Sequence, residues 1–132
     1  MAKLSPEMKA MIAENQCFVA TASPDGVPNL GPKRSTRVID DEHLLFNEGT
    51  GRLTLENLRK NPKVAVAVVS ADRSDGYRFF GPAELLESGE LYEAARAEAQ
   101  KIGRPAPAAL VRITVEEIYT LKPGQAGLRI DL

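Results

Sequence analysis

The sequence predicts a mainly β protein, an antiparallel barrel with short flanking helices. Six or so apolar segments of strand length are separated by short turns that contain glycine, proline or aspartate. The predicted helices are brief, and few are long enough to cross over between parallel strands. The chain has no internal repeat and no low-complexity linker. A single domain over residues 1–132 is therefore expected.

The amino end predicts a helix followed by a β-hairpin. Residues 5–7, Ser-Pro-Glu, supply an N-cap, a first-turn proline and a favourable charge, and the helix is expected to end near Asn15. The apolar run 17–22 predicts the first strand. The turn sequence SPDGVPN then leads to a second strand, around Pro28 to Val38.

The middle of the chain alternates strands with one short helix. A third strand is expected from Leu44 into a glycine turn, and the helix from Leu53 to Lys60, where Asn61-Pro62 ends it. The β-branched run Val64 to Val69 predicts a central strand that is buried on both faces.

The remaining third of the chain predicts three strands and a helix. Gly81 and Pro82 mark a bulge or kink within a strand from Tyr77 to Leu86. A helix from Glu90 to Ile102 is expected to end at Gly103. The last strands are predicted at Ala108 to Val115 and at Ile118 to Leu121.

Composition excludes several classes of function. Seventeen basic and eighteen acidic residues leave a net charge of −1, which disfavours binding to nucleic acid or to an anionic membrane. One cysteine and one histidine rule out an internal disulfide and make a metal site improbable. We interpret Cys17 as a core residue and His43 as a solvated turn residue. With no signal sequence and no segment of transmembrane length, a soluble cytoplasmic protein is expected.

The segment Asn47 to Val69 has the pattern of an anion site. Gly49 and Gly51 allow positive φ angles or close approach to a ligand, and Thr50 and Thr54 place hydroxyls beside the first N–H groups of the helix. Those N–H groups have no partner within the helix, and Arg52 adds a full positive charge. A phosphate is the first ligand to consider. The alternative is a capped surface helix that joins two strands.

A basic cluster in the second predicted strand has two interpretations. If the strand is regular, Lys33, Ser35 and Arg37 share one face while Arg34 and Thr36 share the other, so both sets cannot line one pocket. A charged, solvated edge strand explains the cluster equally well. We favour a site for Lys33 and Ser35, with Arg34 or Arg37 on a phosphate or a carboxylate.

The sequence contains four aromatic residues that could contact a ligand, but no recognisable catalytic motif. Tyr77, Phe79, Phe80 and Tyr119 are expected in the core, with contact to a ligand ring as the alternative. The sequence contains no nucleophile elbow, no metal-spaced histidines and no dinucleotide fingerprint. No catalytic residue is therefore assigned, and any redox chemistry would come from a cofactor.

The order of four sequence blocks resembles a known family. The blocks are CFVATASPDGVPNLGPKRSTRVIDDEHLLF, EGTGRLTLENLRKNPKVAVAVV, YRFFGPAELL and IYTLKPG, which together cover nearly the whole chain from Cys17 onward. They resemble the pyridoxamine 5′-phosphate oxidase-like FMN-binding split-barrel family, and most closely its small stand-alone FMN-binding members. The resemblance implies a six-stranded split barrel that forms a homodimer, with one FMN at each of two sites in the subunit interface.

The resemblance also assigns residues to the cofactor. Arg52 and Thr54 would contact the phosphate beside Thr50, with Gly51 and Leu53 contributing backbone groups. The flavin ring would lie against the second strand, and Asn47 and Glu48 would lie near the ring or the ribityl chain. The second-strand residues are Pro32, Lys33, Arg34, Ser35 and Thr36. The helix asparagine, Asn57, would have a structural role.

The sequence departs from the family at one position and leaves the activity open. Many relatives carry arginine then lysine at the helix start, where this chain has Arg52 then Leu53. Losing one charge-assisted hydrogen bond removes roughly 1.5–3 kcal/mol, so weaker FMN binding is expected unless Lys33 or Arg34 compensates. We expect a flavin-dependent oxidoreductase or electron-transfer protein. The alternatives are a deazaflavin-dependent reductase and a non-catalytic flavin-binding or storage module.

Overall fold

The computed structural model describes residues 2–131 and contains three helices and eight strands. The helices are α1 (Pro6–Glu14), α2 (Leu53–Lys60) and α3 (Glu90–Lys101). The strands are β1 (Cys17–Ala22), β2 (Pro28–Pro32), β3 (Arg37–Val38), β4 (His43–Glu48), β5 (Lys63–Val69), β6 (Gly76–Leu86), β7 (Ala109–Thr114) and β8 (Glu117–Thr120).

The strands form one curled antiparallel sheet. Their order is β2-β1-β5-β6-β7-β4-β3, and β8 pairs separately with β6. The long strand β6 pairs with β5 and β8 through its first part and with β7 through its second part. The sheet thus bends into two halves around β6, which confirms the predicted mainly β split barrel with short helices.

The helix boundaries follow local signals. The Ser5 side chain accepts a hydrogen bond from the Met8 backbone N–H at 3.2 Å and caps α1. At the end of α3, Gly103 has a φ of +73° and donates to the Gln100 carbonyl, while Arg104 N–H donates to the Ala99 carbonyl. This pair of bonds is a Schellman motif, so glycine ends the helix as predicted.

The larger core cluster packs against one face of the sheet. Cys17, Val19 and Phe79 are buried there, together with three valines of β5. Cys17 is 2% exposed, which confirms its packing role, and burial raises the pKa of its thiol to about 11. None of the three helices within residues 2–131 is long and apolar enough to cross a membrane.

Strand β5 is central, but only one of its faces is fully buried. Val64, Val66 and Val68 are buried, whereas Ala65 and Ala67 on the opposite face are partly exposed. The expectation of burial on both faces is therefore wrong for a single copy of the chain. Buried and partly exposed residues alternate along β5 as in an ordinary strand. The sequence does not show this alternation, because the partly exposed residues are alanines rather than polar residues.

Three other expectations need correction. His43 is the first residue of β4 rather than a turn residue, and its Nδ1 lies 2.8 Å from Asp40 Oδ1. Of the four aromatic residues, Phe79 is in the core and Tyr77 packs against it. Phe80 and Tyr119 alternate with core residues Phe79 and Ile118 and lie on the outer face, where Arg78 stacks 4.7 Å from the Tyr119 ring centroid.

Gly81 permits the bend in β6. A Cβ atom at this position would lie 1.7 Å from the Thr114 carbonyl oxygen at the end of β7. The neighbouring Phe80 carbonyl accepts a hydrogen bond from Glu116 N–H at 2.9 Å, which holds the two chain segments together. A side chain at Gly81 would therefore force the backbone apart.

We expect Gly81→Ala to lower the free energy of unfolding by about 3 kcal/mol or more, because the clash is with backbone rather than with a flexible side chain. Urea unfolding followed by circular dichroism measures the change. Gly31→Ala is the matched control, since nothing lies within 4 Å of that Cβ position. Equal stability of the two variants would contradict this account of the bend.

Candidate functional site

A tight turn replaces the middle of the predicted second strand. Residues 33–36 leave the sheet between β2 and β3, and Thr36 N–H donates to the Lys33 carbonyl at 3.2 Å. The buried Thr36 hydroxyl donates to the same oxygen at 2.8 Å. The regular alternation expected for this segment is therefore wrong. Because the residues lie on a turn, Lys33, Arg34 and Ser35 all line one cavity.

A buried ion pair fixes this turn to the end of β4. Lys33 Nζ lies 2.9 Å from Glu48 Oε2, and the two side chains are 18% and 3% exposed. The Lys33 ammonium also lies 5.9 Å from the centroid of the Phe46 ring. Glu48 thus neutralises the lysine that lines the cavity described below.

Further hydrogen bonds hold the turn against Asn47. The Ser35 hydroxyl accepts from Asn47 N–H at 2.8 Å. Arg37 Nη1 donates to the Ser35 carbonyl at 2.8 Å and to Asn47 Oδ1 at 3.2 Å. Arg37 is half-buried, and burial lowers the pKa of its guanidinium. Its hydrogen-bond acceptors within residues 2–131 are neutral, so the carboxylate partner considered above is not observed.

A cavity of about 730 Å³ opens beside this turn. Its volume falls in the range of roughly 300–1,000 Å³ that is typical of small-molecule sites. The cavity brings together seven of the predicted site residues: Pro32, Lys33, Arg34, Ser35, Asn47, Glu48 and Thr50. Arg34 is exposed at its edge and forms no ion pair within the described part of the chain.

The other predicted site residues lie outside the cavity lining. Thr36 is buried behind the turn, as described above. Residues 51–54 follow Thr50 directly along the chain and comprise Gly51, the N-cap residue Arg52 and the first two residues of α2. They are adjacent in sequence to a residue that lines the cavity, but they do not line it themselves.

The start of α2 has no side-chain cap. Arg52 occupies the N-cap position, is exposed and makes no capping hydrogen bond. Gly51 has a φ of +70°, as the glycine turn predicts, whereas Gly49 does not have a positive φ. The Thr54 side chain is buried and accepts a hydrogen bond from Asn29 Nδ2 at 3.1 Å. Within the part of the chain that the structure describes, the first N–H groups of the helix therefore remain available to a ligand.

Asn57 has the structural role expected of it. The side chain is buried, and its Nδ2 donates to the Thr21 hydroxyl at 3.1 Å. This bond ties α2 to β1 and so fixes the helix start relative to the sheet.

Sequence reasoning missed one wall of the cavity. The end of α3 and the loop after it contribute Glu98, Ala99, Ile102, Arg104, Pro105 and Pro107. The loop is held by two long-range bonds, from Ala108 N–H to the Glu48 carbonyl and from the Tyr92 hydroxyl to the Pro107 carbonyl, each 2.8 Å long. The Gly103-Arg104-Pro105 sequence indicates only that the helix ends there.

Comparisons with known proteins agree with this architecture. The chain is 36% identical over 126 residues to the uncharacterized protein MJ0282 of Methanocaldococcus jannaschii, covering 92% of this chain and 83% of that protein. The crystal structure of HupZ from Group A Streptococcus superimposes with a TM-score of 0.85 at 40% identity, covering 95% of this chain and 99% of that one. An FMN-binding protein from Syntrophomonas wolfei shares the fold at 16% identity, with a TM-score of 0.74 and coverage of 86% and 83%.

The fold and the cavity define a split-barrel protein with a polar site of small-molecule size. The family model for pyridoxamine 5′-phosphate oxidase matches residues 4–122. The chain therefore belongs to the pyridoxamine 5′-phosphate oxidase family, which confirms the resemblance seen in the sequence.

Substitution of the Lys33–Glu48 ion pair tests whether this pair holds the 33–36 turn in place. We expect Lys33→Met to lower the free energy of unfolding by about 3 kcal/mol, because it leaves the Glu48 carboxylate buried without a counter-charge. The double variant K33M/E48M should recover most of the loss, because it removes both charges. Urea unfolding of the single and double variants measures the coupling.

Lys9→Met is the control for loss of a lysine charge. Its partner Asp41 is exposed, so we expect a change below about 1 kcal/mol. A Lys33→Met variant as stable as Lys9→Met would show that the Lys33–Glu48 pair does not hold the turn.

Proposed function

We propose that this protein is a homodimeric FMN-binding flavoprotein that acts as an oxidoreductase or electron-transfer protein. The proposal rests on the cavity between the 33–36 turn, the end of β4 and the end of α3. Thr50 lines this cavity, and the uncapped start of α2 follows it within a few residues. Membership of the pyridoxamine 5′-phosphate oxidase family supports a flavin as the ligand. The similarity in fold to an FMN-binding protein is consistent with it.

The start of α2 fits a phosphate. Its free N–H groups and the helix dipole favour an anion, and the exposed Arg52 forms no ion pair within residues 2–131. The Thr54 hydroxyl accepts from Asn29, so its own proton is still free to be donated. Thr50, Arg52 and Thr54 would therefore hold the phosphate, with the backbone of Gly51 and Leu53.

Two cations, Lys33 and Arg34, are candidates to replace the charge of the lysine that many relatives carry at the position of Leu53. Leu53 is 49% exposed and offers only its backbone N–H to an anion. Lys33 is already paired with Glu48, which leaves Arg34 as the cation better suited to compensate. Weaker FMN binding than in relatives with a basic pair remains our expectation.

The polar groups of the cavity fit the remainder of the cofactor. Pro32, Lys33, Ser35, Asn47 and Glu48 combine an apolar surface with donors and acceptors, as a flavin ring and its ribityl chain require. When bound, the flavin supplies the capacity to accept and release electrons. The Lys33 ammonium would stabilise negative charge near the ring, and Glu48 would hold that ammonium in place.

An apolar patch on the outer face of the sheet supports a homodimer. Six neighbouring residues of β1, β2 and β5 share this face: Phe18, Ala20, Leu30, Pro32, Ala65 and Ala67. Phe18 and Leu30 are 44% and 69% exposed, and none of the six side chains is charged. Pro32 also lines the cavity, so a second copy on this patch would lie beside the proposed flavin site.

The flavin assignment predicts saturable FMN binding by the purified protein. Titration followed by flavin fluorescence and visible absorbance should approach one FMN per chain. We expect Arg52→Ala to weaken binding about tenfold to a hundredfold, through loss of a charge-assisted hydrogen bond to the phosphate.

Arg59→Ala is the matched control for this experiment. Arg59 lies at the other end of α2, where it pairs with Glu87, and its replacement should leave FMN affinity unchanged. Absence of binding to the wild-type chain would contradict the proposal, as would equal affinities of the two variants. Tighter binding of a deazaflavin than of FMN would favour the deazaflavin-dependent alternative.

The dimer predicts a mass in solution of twice 14.3 kDa. Leu30→Asp places a charge on the apolar patch, at the more exposed of its two large side chains, and should yield monomers, with the fold intact because Leu30 is exposed in one copy. Size-exclusion chromatography with light scattering measures the mass. Ala97→Asp, at an exposed position of α3, should remain dimeric. A monomeric wild-type protein at micromolar concentration would argue against a shared site.

A further inference from the structure

Within residues 2–131, Arg37 is a half-buried cation without an anionic partner. Its hydrogen-bond acceptors within residues 2–131 are the Ser35 carbonyl and Asn47 Oδ1, both of which are neutral. Lys33, the neighbouring cation of the same turn, has its counter-charge in Glu48. Charged groups that are removed from water normally have a partner of opposite sign, so the Arg37 guanidinium is set up for an external anion.

Arg37 lines a second cavity, of about 500 Å³, which also borders the 33–36 turn. This second cavity has an apolar wall formed by α3, β4 and the residue after β3. The wall residues are Ile39, Leu45, Leu91, Ala94 and Ala95. Arg34, which forms no ion pair within the described chain, also lines the second cavity. A cavity that combines two arginines with apolar side chains is suited to an amphipathic anion.

The free edge of the Arg37 guanidinium has the geometry for a carboxylate. Both observed hydrogen bonds come from Nη1. The Nε and Nη2 N–H groups therefore have no acceptor within residues 2–131. These two groups form the planar fork that pairs with both oxygens of a carboxylate.

The geometry points to a second binding site, in which Arg37 binds the carboxylate of a small organic acid and the apolar wall of α3 covers its body. One carboxylate is enough for this site, because the free fork of Arg37 binds two oxygens and Glu98, which also lines the second cavity, adds negative charge there. Glu98 itself pairs with Lys101 at 3.3 Å and does not reach Arg37.

The second cavity is joined to the cavity proposed for the flavin. Arg34, Ser35, Asn47 and Glu98 line both, so an acid in the second cavity lies beside the occupant of the first. If the proposed flavin function is correct, this position makes a small organic acid the substrate class of the enzyme. The binding site itself requires no flavin.

Benzoate is a suitable probe, and benzamide is its neutral counterpart with the same ring. We expect benzoate to cause saturable changes in the backbone NMR signals of ¹⁵N-labelled, flavin-free protein, centred on Arg37, Leu91 and Ala95. Benzamide should bind at least about tenfold more weakly, and Arg37→Gln should weaken benzoate about tenfold to a hundredfold.

Two further variants keep the test decisive if Arg37→Gln disturbs the turn. Ala94→Glu adds a negative charge to the wall at an exposed helix position and should also weaken benzoate at least about tenfold. Arg96→Gln removes an exposed arginine of the same helix that pairs with Glu93, and should leave benzoate binding unchanged.

Three results would overturn the inference: no saturable change with benzoate, equal affinity for benzamide, or benzoate binding that Ala94→Glu does not weaken. Tighter binding of inorganic phosphate than of benzoate would overturn the assignment to a carboxylate. Because no flavin is present, these results are independent of whether FMN binds.

Discussion

The buried contact between Lys33 and Glu48 is the interaction on which the site depends. It joins a turn between two strands to the end of β4, 15 residues later in the chain, and both groups are largely removed from water. Removing charges from water is unfavourable unless they are well paired. The pair therefore favours the arrangement of the turn that brings the Lys33 ammonium to the Glu48 carboxylate. Ser35 and Arg37 add hydrogen bonds to Asn47, next to Glu48. The Glu48 carbonyl also accepts from Ala108, which brings the loop after α3 to the same point.

The parts of the fold that were predicted from sequence have local causes. The cap at Ser5, the tight turn between β1 and β2 and the glycine end of α3 each involve residues only a few positions apart. The bounds of α2 follow in the same way from the glycine turn before it and from Asn61-Pro62 after it. Strong local signals of this kind do not depend on what packs against them.

The parts that were not predicted depend on distant contacts or on side-chain size. Nothing in the residue pattern shows that the Thr36 hydroxyl will bond to the Lys33 carbonyl and close a turn in place of a strand. The wall contributed by α3 depends on the bond from Ala108 to Glu48, which spans 60 residues. The outer face of β5 resembled core because Ala65 and Ala67 are apolar, although one copy of the chain leaves them partly exposed.

In the proposed complex, the cavity beside the 33–36 turn holds a flavin whose phosphate lies at the start of α2. A crystal structure of the protein grown with FMN tests this most directly. We expect electron density for the phosphate at residues 50–54, with the ring against residues 32–35 and a second copy of the chain across the outer face of β1, β2 and β5. Flavin bound elsewhere on the molecule, or a cavity that remains empty in the presence of saturating FMN, would contradict the central claim.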